Sequence, residues 1–366
     1  MSDRAKQRVF NFSPGPATLP LSVLEQIQRD ILAYPGAGAS ILEISHRSPT
    51  MDDILDETEA NLRLLLSIPD NYRVLFMQGG GRLQFSLVPL NLLYGRGTSA
   101  QYVLTGSWGK KAIDEARREG EVSLAWDGSG VDFCRVPTNE ELDLDPLAAY
   151  IHYTSNETIQ GVQFPAEPAV GEVPLVCDTS SDFLSRPIPI DRYGLLYACA
   201  QKNAGAAGLT AVIVRDDLLR TDGELHTMLD YGLYARQRSL VNTPPVFAIY
   251  ILMLVTRWLM RDMGGLDAVA THNAAKASLL YEVLDSSDGF YSGHAEPASR
   301  SLMNVTFRLP DDETGAAFLS EARDAGLHQL KGHRSVGGVR ASIYNAMPVA
   351  GVEALRDFMI TFRGSR

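Results

Sequence analysis

Two short apolar runs decide how this chain is read: Val173-Pro174-Leu175-Val176-Cys177, which closes on Asp178, and Gly194-Leu195-Leu196-Tyr197-Ala198-Cys199-Ala200-Gln201, which closes on Lys202. Short apolar runs bounded by polar turn residues are the pattern of buried strands. Similar runs, Val74-Leu75-Phe76-Met77, Tyr102-Val103-Leu104 and Ala211-Val212-Ile213-Val214, alternate with polar helical stretches between Arg73 and Val214. That alternation predicts an α/β fold, a mainly parallel sheet covered by helices on both faces. Ligands collect at the carboxyl edge of such a sheet, so Asp178 and Lys202 are expected to face one crevice.

A carboxylate in that place can keep a pyridine nitrogen protonated, and a lysine amine can condense with an aldehyde as a Schiff base. The pair therefore points to a pyridoxal phosphate (PLP) site, with a solvated cap or an ion pair as the plainer reading of the same residues.

The 366 residues, 45% of them hydrophobic, supply ample core for about two domains. We expect an N-terminal segment 1–15, a large domain 16–265 and, after Gly264-Gly265, an α+β unit 266–366. The apolar stretch Val246 to Met260 is broken by Thr256 and Arg257 and is shorter than the ~20 residues of a spanning helix, so it reads as a buried helix and no membrane association is expected. Met1 to Arg8 carry charge with no apolar run behind them, which favours a cytoplasmic location. Cys134, Cys177 and Cys199 lie in or beside apolar runs without metal-ligand spacing, so neither a disulfide nor a metal is expected. A net charge of −11 argues against nucleic acid.

Within that acidic chain the basic and glycine-rich motifs stand out. Gly79-Gly80-Gly81-Arg82 follows a strand and opens a helix, where backbone amides can hold a phosphate. It has neither the Walker nor the GxGxxG spacing, so a nucleotide is not indicated. Trp108, just past Leu104, belongs at the same edge, where its ring could stack on a pyridine or simply fill core. Thr158 could donate to a phenolic oxygen. Thr50 is expected to cap one helix, and Asn242-Thr243-Pro244-Pro245 reads as a polar cap opening another. Strand alternation puts Arg340, Ser342 and Tyr344 on the face opposite Val339, Ala341 and Ile343, so Arg340 points away from the packed side.

Together the segments Phe10-Asn11-Phe12-Ser13-Pro14-Gly15-Pro16-Ala17, Ser45-His46-Arg47, Gly79-Gly80-Gly81-Arg82, Asn156-Glu157-Thr158, Ala200-Gln201-Lys202-Asn203, Asn242-Thr243-Pro244-Pro245 and Gly332-His333-Arg334 through Pro348 resemble the phosphoserine aminotransferase family, within the class V, fold-type I PLP enzymes. The resemblance implies that Lys202 carries pyridoxal 5'-phosphate, Asp178 pairs with its ring nitrogen, Trp108 stacks on the ring and Thr158 bonds its phenolic oxygen. It implies a phosphate grip by Gly81, Arg82 and Gln201, completed by Asn242 and Thr243 from the second subunit of a homodimer. His46, Arg47, Arg82, His333, Arg334 and Arg340 would hold substrate anions, Arg340 the α-carboxylate. The expected reaction moves an amino group between L-glutamate and 3-phosphohydroxypyruvate, giving 2-oxoglutarate and O-phospho-L-serine in serine biosynthesis. Whether 4-phosphohydroxy-L-threonine of pyridoxine biosynthesis is also a substrate stays open, and transamination of unphosphorylated small amino acids, serine-glyoxylate type, is the alternative. Two residues depart from the family pattern: Leu83, where a smaller residue is frequent, and Ala206, where proline is usual.

Overall fold

The computed structural model describes residues 8–366, so Met1 to Gln7, part of the expected N-terminal segment 1–15, lie outside the described residues. In chain order the elements are β1 (Phe10–Asn11), α1 (Leu21–Asp30), α2 (Pro49–Leu66), β2 (Tyr72–Gly79), α3 (Gly81–Leu92), β3 (Ser99–Leu104), α4 (Ser107–Ala116), β4 (Glu121–Asp127), β5 (Ile151–Thr154), β6 (Asn156–Glu157), β7 (Val162–Gln163), β8 (Leu175–Asp178), β9 (Leu195–Cys199) and β10 (Gly208–Arg215). There follow α5 (Tyr231–Arg236), α6 (Val246–Arg261), α7 (Leu266–Asp285), β11 (Ser292–Gly293), β12 (Asn304–Arg308), α8 (Asp312–Asp324), β13 (Leu327–His328), β14 (Val339–Ser342) and α9 (Val349–Gly364). No helix among the described residues is long and apolar enough to cross a membrane.

The central sheet has seven strands in the order β2-β10-β9-β8-β5-β3-β4. All neighbours are parallel except β10, which runs antiparallel to both β2 and β9. The carboxyl ends of β2, β3, β5, β8 and β9 therefore share one edge. Every residue of β8 and β9 is buried, which is why these strands read as unbroken apolar runs rather than alternating ones. Their side chains divide by parity. Leu175, Cys177, Leu196 and Ala198 join a cluster with residues of α2 and α6, whereas Val176, Leu195 and Tyr197 join one with residues of α3 and α4. Each buried leucine there contributes about 1.5–3 kcal/mol relative to exposure, so a one-residue slip in register would cost several such terms.

A third apolar cluster gathers Phe12 with residues between Ala277 and Phe362 around the antiparallel sheet β11-β12-β14. Val339, Ala341 and Ile343 point into it, as the alternation predicts.

Several local expectations need correction. Ser48, not Thr50, caps α2: its side chain accepts from the Met51 amide at 3.3 Å, and Pro49 takes the first helical position where no amide is needed. Asn242 does not cap α6, which starts at Val246 behind Pro245; its side chain instead accepts from Gln78 Nε2 at 2.7 Å. Within the expected N-terminal segment, Phe10–Asn11 forms a short strand parallel to β13. Cys134 lies in irregular chain beyond β4, half-buried, with its thiol donating to Glu296.

Candidate active site

Lys202 stands in the tight connection between the antiparallel strands β9 and β10, and that geometry delivers its side chain to the carboxyl edge of the sheet. Asp178 is the last residue of β8, paired in register with Thr154 on one side and Tyr197 on the other. Both line a cavity of about 390 Å³ with Gly80, Gly81, Arg82, Trp108, Thr158, Gln201, His333 and Arg340. The structure thus brings together nine of the site residues expected from sequence. It leaves Asn242, Thr243, His46, Arg47 and Arg334 outside this cavity. Asn242, Thr243, Arg47 and Arg334 are exposed.

Each wall has a local cause. Helix α3 begins at Gly81 with no side-chain cap, so its first amides remain available to an anion, and its dipole favours one. A Cβ on Gly81 would stand 3.2 Å from Ser180 Oγ, crowding this end of the cavity. Gly15, with φ +142°, closes over Lys202, where a Cβ would meet the Lys202 chain at 3.4 Å. Leu83, one of the two departures, packs its side chain over Gly79, where a Cβ would stand at 2.7 Å. Ala206, the other, packs against the core beside α6.

Lys202 Nζ donates to Thr158 Oγ1 at 2.8 Å and lies 5.7 Å from the centroid of the Trp108 ring. Burial works against its charge, but Tyr344, Cys199, Asp178 and Glu157 favour it, and the balance holds the amine above the ordinary lysine value. Burial raises the Asp178 carboxyl, opposed by Lys202 and by the Ser180 amide, which donates at 2.9 Å. Arg340 is buried and its guanidinium is pulled below its ordinary value by that burial. Nη1 of Arg340 reaches the Thr158 carbonyl at 3.5 Å. Burial, then the charges of Arg340, Lys111 and Arg334, keep His333 below the usual histidine range.

The cavity lining holds polar atoms with no hydrogen-bond partner among the described residues: Trp108 Nε1, Thr154 Oγ1, Asn156 Oδ1, Gln201 Oε1 and Arg340 Nε. Buried polar atoms are rarely left unpaired, and here they surround a lysine, an acid and an open helix start. A flat, polar, phosphate-bearing aldehyde fits that set. Sequence reasoning missed Thr154, Asn156, Ser180 and Phe85 in the lining, as well as Glu157 and Lys111 beside Trp108. The signal available for Thr154 was its place at the end of an apolar run, the same signal that found Asp178.

Comparison with known proteins gives the class first. Residues 9–355 match the family described as aminotransferase class-V, and the chain belongs to that family. Within it, the chain is 57% identical to the phosphoserine aminotransferase of Rhodopirellula baltica over 358 residues, 97% of this chain and 95% of that one. The solved phosphoserine aminotransferase from Bacillus circulans subsp. alkalophilus superimposes with a TM-score of 0.96 at 47% identity, covering 98% of this chain and 99% of that one. A PLP-bound phosphoserine aminotransferase from Trichomonas vaginalis superimposes with a TM-score of 0.91 at 38% identity, covering 96% and 100%.

Proposed function

We infer that this chain is a PLP-dependent transaminase that exchanges the amino group of L-glutamate with 3-phosphohydroxypyruvate, giving 2-oxoglutarate and O-phospho-L-serine. The observation that carries the reading is the cavity in which Lys202, Asp178, Trp108 and the open start of α3 converge, in a chain 57% identical to a phosphoserine aminotransferase. Bound there, PLP supplies a ring able to take up the electron pair left when substrate Cα loses its proton.

The rest is the work of the chain. Lys202 would hold the cofactor through its amine, and that amine, when free, would accept and return the Cα proton. Asp178 keeps the ring nitrogen protonated, a role suited to an acid shielded from water. Trp108 covers one ring face and Thr158 holds the phenolic oxygen. Gly81, Arg82 and Gln201 take the phosphate at the start of α3. Arg340 pairs with the α-carboxylate, which glutamate and phosphoserine share. Arg82 and Arg334 supply positive charge for the second anion and His333 a ring N–H, which accounts for a basic pocket in an acidic protein.

His46, Arg47, Asn242 and Thr243 act, in this reading, in the neighbouring site of a cytoplasmic homodimer. The exposure of Arg47, Asn242 and Thr243 and the absence of all four from the chain's own cavity support it. So does the charge of Arg47 at a turn just before α2. We place the boundary between the large and small domains at Gly264-Gly265, where α6 ends and the chain passes toward the third apolar cluster.

A glutamate-dependent coupled assay with phosphoserine, phosphohydroxythreonine and serine tests the reading. Strong preference for phosphoserine is expected, and equal efficiency on serine would overturn it. Sedimentation gives the assembly. Mixing Lys202→Ala with Arg47→Ala subunits should restore turnover if sites are shared, and no restoration would refute sharing.

A further inference from the structure

Helix α4 carries Trp108 in its first turn, and its N-cap, Gly106, has no side chain to satisfy the exposed amides. The cap comes from elsewhere in the chain. Glu157 Oε1 accepts from the Gly109 amide at 2.8 Å and the Trp108 amide at 3.1 Å, and Oε2 accepts from the Trp108 amide at 3.0 Å. Gln160 Oε1 accepts from the Ser107 amide at 3.3 Å, and Gln160 Nε2 donates to Ser107 Oγ at 2.8 Å. A second observation is independent of these bonds. A Cβ on Gly106 would stand 2.6 Å from Glu157 Cδ and 2.7 Å from Gln160 Oε1, so the main chain is glycine where the carboxylate has to come close.

Glu157 is fully buried. Burying a carboxylate is costly unless it is hydrogen-bonded, and a helix start is the backbone partner best suited to one. The next residue is Thr158, which takes the Lys202 hydrogen bond. One turn of chain therefore grips the tryptophan through residue 157 and the lysine through residue 158.

We propose that Glu157 is a positioning residue: its carboxylate fixes the first turn of α4, and with it the Trp108 ring, in register with Thr158 and Lys202. It touches neither cofactor nor substrate and acts through the Trp108 backbone. The charged groups around it are Asp178 on β8, Lys202 after β9 and Lys111 on α4. The inference rests on the reading of the cavity as a PLP site.

Glutamine is close to an isostere, but its NH2 must replace one carboxylate oxygen. It then faces the Trp108 amide or the Gly109 amide, donor against donor. The test uses a chain whose only tryptophan is Trp108, made by Trp126→Phe and Trp258→Phe, with Glu157→Gln or Gly106→Ala added. Gly106→Ala leaves the glutamate in place but removes its room, so it serves if the first variant folds poorly. In the cofactor-free protein, Trp108 emission should shift to the red and become more open to acrylamide, with the far-ultraviolet dichroism unchanged. Titrated with pyridoxal phosphate, the variants should bind roughly tenfold more weakly, the cost of one buried amide left unpaired. Emission, quenching and affinity all equal to the parent would overturn the proposal, as would a changed emission with unchanged affinity. A parent that takes up no pyridoxal phosphate refutes the cofactor reading instead, and the cofactor-free emission then still decides what Glu157 holds.

Discussion

The ammonium of Lys202 donates to the hydroxyl of Thr158 across 2.8 Å, tying the connection after β9 to the turn after β6. The bond points the amine into the cavity and shares the positive charge that Tyr344, Cys199, Asp178 and Glu157 sustain. In the proposed reading, Lys202→Ala removes both the covalent tether and the proton carrier. Turnover should fall by roughly 10⁴ or more, the upper end of general acid–base catalysis, and the visible absorption of the bound aldehyde should become that of free pyridoxal phosphate. Full turnover in a stopped assay would refute the assignment.

Asp178→Asn keeps the size of the side chain but removes its charge. With no carboxylate to hold the ring nitrogen protonated, turnover should drop by about 10²–10³, as when one preorganised electrostatic contact is lost. Glutamate KM should change far less than kcat. A loss confined to KM would speak against the role.

Arg340→Lys keeps the charge and loses the planar fork. Because glutamate and phosphoserine both present an α-carboxylate, kcat/KM should fall for both by about 10- to 100-fold, the worth of a bidentate charged pair. An effect on phosphoserine alone would move Arg340 to the phosphate.

Burial raises the Glu157 carboxyl from 4.5 to about 7, with the Gly109 and Trp108 amides opposing the rise. Between those two values the folded chain holds a proton at Glu157 that the unfolded chain has lost. Stability from this group therefore falls as pH rises through the window and is level above about 7. Denaturant melts of wild type and Glu157→Gln should show the wild type losing ground to the variant from pH 4.5 to about pH 7. A constant difference across that range would contradict the burial.

Lys276 is buried on α7, and its ammonium donates to the carbonyls of Ile343 at 2.8 Å, Tyr344 at 2.7 Å and Met347 at 3.2 Å. Those bonds pin the chain just beyond Arg340. Lys276→Met removes the donor from three buried carbonyls. That of Tyr344 keeps the Met347 amide at 2.9 Å, the other two are stranded at about 1 kcal/mol or more each, and the thermal midpoint should fall by several degrees. An unchanged midpoint would show that the loop finds other donors.

Much of the fold could be read without coordinates because its signals are local. An apolar run four or five residues long, a glycine triplet before a helix and a polar residue at a strand end all sit within a few covalent bonds of the structure they announce. Asp178, Lys202, Gly81 and Trp108 were found that way. The misread caps show where local reading stops. Thr50 and Ser48 are both good cap residues, and only the turn of the chain into Pro49 chose between them. Asn242 looked like a cap until the strand edge put Gln78 within its reach.

By itself the sequence determined the α/β layering and the strand-end residues that meet in one cavity, since periodicity and strand-end position are properties of neighbouring residues. Only the tertiary structure decided that Glu157 caps a helix 48 residues earlier, that Lys276 clamps three carbonyls beyond β14, and which basic residues reach this chain's own cavity. Those contacts join groups far apart along the chain, and a buried polar group takes whichever partner the packed backbone brings close.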